Sequence, residues 1–312
     1  VQVGGNIGRP PAAMVADSEP GRWNVLELSS FQLETIEKFR ARVGVVINVT
    51  PDNLDRHHTF SGSAAAKERL FENQIAGDVA VLNADDATCM EFARRARSRT
   101  LLFSLQRRVD PGAYLEDGKL YTERQFLMDA GEIPLRGLHN VENTLAAVLA
   151  ARQTGAALQS IAAAVRTFPG VEHRIEFVRT VSGVSFYNDS KAPNVDATQK
   201  AIDAFDGRLW LILGGKDKGS DYRTLRPSLE AKAHAVLLVG AASAKIAGHL
   251  DGALPLQDCG TIAEAVRAAY EKAAPDDIVL LSPACASFDQ FSGYEERGRV
   301  FKNLVSQLEE KP

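Results

Sequence analysis

Short apolar runs alternate along the chain with segments whose apolar positions recur at helical spacing. The runs Trp23–Leu28, Val43–Val49, Val79–Asn83, Thr100–Phe103, Val184–Tyr187, Leu209–Leu213, Ala235–Val239 and Ile278–Leu281 read as strands. Several are continuous and rich in leucine and β-branched residues, the composition of parallel strands buried on both faces. Helical spacing is found over Ala64–Gln74, Val141–Gln153, Leu158–Thr167, Ala192–Ala204 and Tyr294–Leu308. Thr261-Ile262-Ala263-Glu264 has the form of a capping box opening a further helix that runs to about Lys272. Strand and helix signals in alternation predict an α/β protein with mostly parallel sheets and flanking helices. Residues Arg107–Phe126, with Asp110-Pro111-Gly112 and Asp117-Gly118, predict a hairpin insert instead. A change of pattern at Phe168-Pro169-Gly170 predicts an incomplete first domain over 1–170 and a complete second one over 171–312.

Composition narrows the function classes. The 312 residues are 45% hydrophobic and 24% charged, ordinary for a soluble globular chain. A net charge of −4 argues against a broad nucleic-acid or anionic-membrane surface, so an anionic substrate would be held by local cations and helix ends. Cys89, Cys259 and Cys285 form neither a disulfide framework nor a metal-ligand spacing, which fits a reducing cytoplasm. No apolar run reaches membrane-spanning length and no signal peptide is recognisable. The chain opens on Val1-Gln2-Val3 and enters Gly4-Gly5-Asn6-Ile7-Gly8 at once, as if from inside a domain, so the expectation is a fragment whose front is missing.

Candidate chemistry sits where the strand runs end, the edge at which open α/β sheets hold ligands. Glu27 follows one such run and can be read as a Mg²⁺ ligand or as a helix-start acid beside the capping serines Ser29 and Ser30. Asn48–His58 concentrates polar groups after the next strand. Lys67 falls in the expected first turn of the Ala64–Gln74 helix, where a cation opposes the helix dipole; it is otherwise a surface lysine. Asn140 and Asn143 lie three apart on one helix face and can cap the helix or pair with a base edge. Arg174 can clamp a phosphate, or simply face solvent. In Tyr187-Asn188-Asp189-Ser190-Lys191, the acid can take ribose hydroxyls and the lysine can neutralise phosphate or carboxylate. Gly214-Gly215-Lys216-Asp217-Lys218-Gly219 allows close backbone approach, with Lys218 able to bind an anion. It is not a phosphate loop, and G-x-x-x-x-G-K-[ST] occurs nowhere in these residues. Most informative is Leu280–Gly298, LLSPACASFDQFSGYEERG, in which a buried strand enters a small-residue loop bearing Ser287 and Asp289 before a helix begins at Tyr294.

Taken in order, these segments resemble the Mur ligases, and the last of them resembles the D-glutamate-adding branch. The pieces are GGNIG at Gly4–Gly8, LELSSFQLE at Leu26–Glu34, NVTPDNLDRH at Asn48–His57, AAAKERLFENQ at Ala64–Gln74 and GLHNVEN at Gly137–Asn143. HRIE at His173–Glu176, NDSKAPN at Asn188–Asn194, GGKDKG at Gly214–Gly219 and SPACASFDQFSGYEERG at Ser282–Gly298 complete the set. The resemblance implies part of a central ATPase domain lacking its phosphate loop, followed by a Rossmann-like C-terminal domain. It implies ATP-dependent amide formation through an acyl phosphate, with Mg²⁺, UDP-N-acetylmuramoyl-L-alanine and D-glutamate as cofactor and substrates, in a cytoplasmic monomer. Glu27 becomes a Mg²⁺ ligand, and Lys67 a carbamylated lysine helping to hold a second ion. Asn6, Ser29 and Ser30 fall near the UDP-muramoyl substrate, and Asn140 and Asn143 near adenine. Arg174 falls on ATP phosphates, Asp189 on the ribose and Lys191 on the reacting phosphates, while Lys218, Ser287, Phe288 and Tyr294 receive D-glutamate. Two positions depart from the family. Asn53 stands where a metal-binding His is usual, offering a carbonyl oxygen but no imidazole, and Pro193 stands where a Thr hydroxyl and N–H would help hold D-glutamate. Without a phosphate loop the expectation is that these residues alone lack ligase activity. Other readings are a sister Mur ligase, a folylpolyglutamate synthase-like ligase, or a non-catalytic binding module.

Overall fold

A computed structural model describes residues 1–50, 57 and 59–311. The chain divides into two compact units. The first is Val1–Ile133 with Asn140–Thr167, and the second is Pro134–His139 with Phe168–Pro312.

The first unit holds a two-stranded parallel pair and a six-stranded sheet. In the pair, β1 (Gln2–Gly5) runs beside β2 (Asn24–Glu27), with Gly5 opposite Glu27. The sheet has the order β3 (Val43–Val46), β4 (Val79–Asn83), β5 (Arg99–Ser104), β6 (Gly112–Glu116), β7 (Lys119–Thr122), β8 (Gln125–Asp129). Strands β3 to β6 pair in parallel, and β4 is buried along its whole length. Strands β6 to β8 form an antiparallel meander through two tight turns, Asp117-Gly118 and Glu123-Arg124, all four residues at positive φ. The expected hairpin insert is therefore a three-stranded extension of the main sheet. Its core-facing residues, Ala113, Leu120 and Met128, are fully buried, so it is part of the fold rather than an appendage. The core of this unit gathers Val46, Phe71, Ala80, Leu82, Cys89 and Phe92.

The second unit is a six-stranded sheet in the order β13 (Leu256–Gly260), β12 (Ala233–Val239), β11 (Leu209–Gly214), β14 (Ile278–Leu281), β10 (Val184–Asn188), β9 (Glu176–Val181). All neighbours are parallel except the β9–β10 hairpin. Alternate residues of the central strands enter different cores. Leu211, Leu213, Val236, Leu238 and Leu280 pack with Phe205, Leu229 and Ile246 on one face. Ile212, Leu237, Val239, Val279 and Leu281 pack with Val266, Ala269, Phe301 and Val305 on the other. Both faces are covered by helices, as the continuous apolar runs required. The α/β class expected from the alternation is the class observed.

The helices expected from Val141 and Ala192 begin at Leu138 and Val195, one further start moves as well, and one keeps its place but loses half of its expected cap. The helix expected over Ala64–Gln74 begins earlier: it spans Phe60–Glu68, with Thr59 Oγ1 accepting from Gly62 N–H at 3.1 Å, and continues as a 3₁₀ turn over Arg69–Phe71. Phe60-Ser61-Gly62-Ser63 carries no apolar period, so only the cap marks the true start. At Ile262–Lys272, Thr261 does accept from Glu264 N–H, but the Glu264 carboxylate pairs with Arg267 instead of closing the box.

Candidate functional site

In the first unit the carboxyl ends of β1 and β2 bring Asn6 and Glu27 together, since Asn6 N–H donates to the Glu27 carbonyl at 2.7 Å. Both side chains are exposed. The Glu27 carboxylate is a hard-oxygen group of the kind Mg²⁺ takes. Ser29 is an N-cap: its Oγ accepts from Gln32 N–H at 3.3 Å while Gln32 Oε1 accepts from Ser29 N–H at 2.9 Å. Ser30 is buried, with Oγ 2.9 Å from His57 Nε2, and His57 Nδ1 faces Glu34 Oε1 at 3.1 Å. In the tautomer with the proton on Nδ1, facing Glu34, Nε2 accepts from the Ser30 hydroxyl. The order acid, imidazole, hydroxyl is that of a nucleophile relay, but a hydroxyl only 5% exposed at a helix start locks that start in place.

The placement expected for Lys67 is corrected by this geometry. It lies in the last turn of Phe60–Glu68, not the first, and there the dipole favours a cation. It is half-buried and makes no ion pair among the described residues. Asn53 lies outside the described residues. Asn140 and Asn143 do share one helix face and bond to each other, with Asn143 Nδ2 donating to Asn140 Oδ1 at 3.2 Å.

In the second unit four strands deliver their carboxyl ends to one edge. Beyond β10, Asp189 is 6% exposed and both its oxygens are engaged, Oδ1 by Ile175 N–H at 3.2 Å and Oδ2 by Ser282 Oγ at 2.8 Å. Burial, opposed by these bonds, pushes its carboxyl up to about 7. Lys191 follows, its N–H on the His173 carbonyl at 3.0 Å and its ammonium 5.5 Å from the Tyr294 ring centre. Arg174, next to His173, is exposed. Beyond β11, Lys218 is exposed in a turn organised by its neighbour Asp217. That carboxylate accepts from Lys245 at 2.7 Å, Tyr222 Oη at 2.8 Å and Ser220 N–H at 3.1 Å, and the Lys245 bond foremost holds its pKa far below the usual range. Beyond β14, Ser287 is 3% exposed, while Phe288 next to it is 66% exposed. Reciprocal Lys216–Ala286 backbone bonds of 2.8 and 3.1 Å tie the β11 and β14 loops together. Beyond β12, Ala241 N–H donates to Asp289 Oδ2 at 3.0 Å, so this carboxylate ties the β14 loop to the β12 loop. The structure thus assembles Asp189, Lys191, the Lys218 turn, Ser287 and Tyr294 along one sheet edge.

Sequence reasoning passed over Arg297, Tyr222, Asp217 and His57. Asp217 and His57 stood inside quoted motifs without a role of their own, and Arg297 carried a signal in Gly298 beside it, which interrupts a helical pattern. A set of possible metal ligands, Glu172, His173 and Glu176, also lies at this edge. Its place is taken by the Lys302 ammonium, 3.1 Å from Glu172 and 2.6 Å from Glu176, and Asn188 Nδ2 occupies the His173 Nδ1 lone pair at 2.9 Å.

Comparison with known proteins agrees with this architecture. Residues 11–151 match the Mur ligase middle domain, and residues 173–285 the Mur ligase glutamate ligase domain. The chain is 60% identical over 311 residues to the UDP-N-acetylmuramoylalanine--D-glutamate ligase of Solibacter usitatus (strain Ellin6076), covering 100% of this chain and 70% of that protein. It is 54% identical to the ligase of the same name from Acidobacterium capsulatum, covering 98% of this chain and 68% of the relative. Among solved structures, a MurF ligase from Thermotoga maritima in complex with ADP shares the fold at TM-score 0.67 and 16% identity, over 91% of this chain and 68% of that one. With two domain families matched in sequence and relatives this similar across its length, the chain belongs to the Mur ligase family.

Proposed function

We propose that this chain supplies the central and C-terminal parts of a D-glutamate-adding Mur ligase, joining D-glutamate to UDP-N-acetylmuramoyl-L-alanine at the expense of ATP in cytoplasmic cell-wall synthesis. The observation that carries the reading is the agreement between 60% identity to a ligase of that name and the gathering of the Lys191, Lys218 and Ser287 loops at one sheet edge. In this reading Lys218 binds a D-glutamate carboxylate, with Ser287, Phe288 and Tyr294 shaping the pocket for the rest of that substrate. Lys191 and Arg174 offset phosphate charge where two anions must meet. Asn140 and Asn143 face the adenine, and a ribose hydroxyl reaching Asp189 would replace one of its present partners. Asn6, Ser29 and Ser30 border the UDP-muramoyl substrate. Glu27 would hold Mg²⁺, with Lys67 as its carbamate a second anionic ligand; the ion would supply charge neutralisation between phosphate and carboxylate. Proline at 193 leaves the D-glutamate contacts to side chains from the other loops.

The test is equilibrium dialysis of labelled D- and L-glutamate against the 312-residue chain, with Mg²⁺ and a non-hydrolysable ATP analogue present. Preference for the D isomer, lost in Lys218→Ala, supports the reading. Equal retention of both isomers, or retention that survives Lys218→Ala, overturns it.

A further inference from the structure

Two of the three loops proposed to bind substrate in the second unit meet on one buried side chain, and the third is tied to them by backbone bonds. Arg297 lies in the helix Tyr294–Ser306 and is 2% exposed. Its Nε donates to Ser190 Oγ at 3.0 Å and its Nη2 to the Ser190 carbonyl at 2.8 Å. Nη2 also donates to the Cys285 carbonyl at 3.1 Å, and Nη1 to the Ala286 carbonyl at 3.3 Å. Ser190 precedes Lys191 and Ala286 precedes Ser287, while Ala286 exchanges backbone bonds with Lys216 in the Lys218 loop. Ser190 Oγ in turn donates to the Tyr294 carbonyl at 2.8 Å, closing the network on the same helix. The next residue adds a further contact. A Cβ at Gly298 would lie 2.1 Å from His173 Nδ1, so only glycine lets the His173-Arg174 turn seat there.

No carboxylate hydrogen-bonds this guanidinium among the described residues; its acceptors are carbonyls and one hydroxyl. A buried charge is a poor device for stability alone, since well-packed apolar residues do as well or better. What a planar fork of donors does better than any apolar group is fix several acceptors at set angles to one another. Here those acceptors belong to loops that sequence separates widely.

We propose that Arg297 is a positioning residue of the ligase site, setting the Lys191, Lys218 and Ser287 loops relative to one another without touching substrate. The proposal rests on the functional reading above for its consequence, but its geometry is testable without ligand.

Amide hydrogen exchange on the full 312-residue chain compares wild type with Arg297→Lys, which keeps the charge and loses the fork. Exchange should quicken roughly tenfold at Lys191, Lys216 and Ala286, because charge-assisted bonds are removed, while the central amides of β11 and β12 keep their protection. D-glutamate retention should weaken by a similar factor, and methylguanidinium should restore it in Arg297→Ala. Ser190→Ala, a smaller change, should loosen the Lys191 loop first and by less. Unchanged exchange at the three loops, or faster exchange spread evenly over the sheet in step with lost stability, overturns the proposal. If wild type retains no D-glutamate, the functional reading fails, and the exchange data still decide the role of Arg297.

Discussion

Both units end a parallel strand pair on a glycine with its backbone in the left-handed half of φ, yet the two ends are held very differently. In the first unit, Gly5 (φ 119°) sits opposite Glu27 in a two-stranded pair whose neighbouring side chains, Val3 and Val25, are 61% and 53% exposed. In the second, Gly214 (φ 132°) ends the central strand of a six-stranded sheet, with both faces covered and its N–H on the Pro283 carbonyl at 2.9 Å. The first arrangement presents polar groups to solvent on a light scaffold; the second embeds them in a network of buried partners. A Cβ would meet the Glu27 carbonyl oxygen at 2.1 Å in Gly5→Ala and the Val239 carbonyl oxygen at 1.9 Å in Gly214→Ala. The clashes are alike, so the outcomes measure the scaffolds. Gly214→Ala should lower the stability of the second unit by about 3 kcal/mol or more. Gly5→Ala should loosen the β1–β2 pair and leave the six-stranded sheet of its unit intact. Trp23 lies in the first unit and Trp210 in the second, so single-tryptophan variants followed through thermal unfolding separate the two responses. Equal losses in both would remove the distinction.

The buried carboxylates sharpen the comparison by opposite responses to pH. Asp78 in the first unit is 2% exposed, and its bonds with the Arg40 guanidinium at 2.8 and 3.1 Å hold its pKa below the ordinary carboxylate value. Its contribution to stability is present above that ordinary value and is lost as pH falls through the lowered one. Asp189 in the second unit is raised by burial from 3.8 to about 7. The native state therefore favours its protonated form, so its contribution is complete below about pH 4 and is lost as pH rises through about 7. Urea unfolding read at Trp210 should show Asp189→Asn flattening a loss of a few kcal/mol across that interval. A pH profile that Asp189→Asn leaves unaltered would mean the carboxylate is ionised in the native unit.

The same contrast explains what was legible in the sequence. Central strands such as Val79–Asn83 and Ile278–Leu281 stood out because burial on both faces demands unbroken apolar runs. The edge strands Glu176–Val181 and Leu256–Gly260 did not, because solvent at a sheet margin tolerates Arg179, Gln257 and Asp258. Strand-end motifs located the candidate groups, since short polar clusters after apolar runs are local features. Which of those groups face solvent and which are spent on the fold was not local. The Asp289 carboxylate finds its partner at Ala241 and the Ser190 loop finds Arg297, contacts that no spacing announces. The early start of the helix carrying Lys67 escaped notice because a threonine cap, not an apolar period, defines it.

A smaller effect should follow from the hydroxyl that supports the Lys218 turn. Tyr222 is fully buried, with its Oη 2.8 Å from Asp217 Oδ1 and 3.0 Å from Cys285 Sγ. Tyr222→Phe keeps the ring in the core and removes the donor, while Lys245 and Ser220 N–H still satisfy Asp217. The expected loss is about 1 kcal/mol, measured by denaturant midpoint at constant slope. The first unit has a counterpart in Ser98 Oγ, which donates to Gln74 Oε1 at 2.6 Å in a buried pair, and Ser98→Ala should cost a similar amount. If Tyr222→Phe proved as damaging as Gly214→Ala, the hydroxyl would be holding far more than one turn.

The smallest effect is expected where the geometry looks strongest. Arg108 and Glu116 form a two-pronged pair on the meander, with Nε–Oε1 2.5 Å and Nη2–Oε2 2.7 Å. Short paired contacts of this form are among the strongest protein hydrogen bonds when water is excluded. Here the arginine side chain is 72% exposed and the glutamate 30%, so solvent screens the attraction, and ordering two long side chains offsets much of what remains. Buried Arg297 makes longer bonds, 2.8 to 3.3 Å, to carbonyls and a hydroxyl that have little water to return to. Bond length alone would rank the exposed pair first, and desolvation reverses the ranking. Arg108→Gln should leave the thermal midpoint of the first unit unchanged within error, in low salt and in high. A clear loss in low salt that high salt erased would show the meander to depend on surface charge, and the buried network of the second unit would no longer be what sets the two units apart.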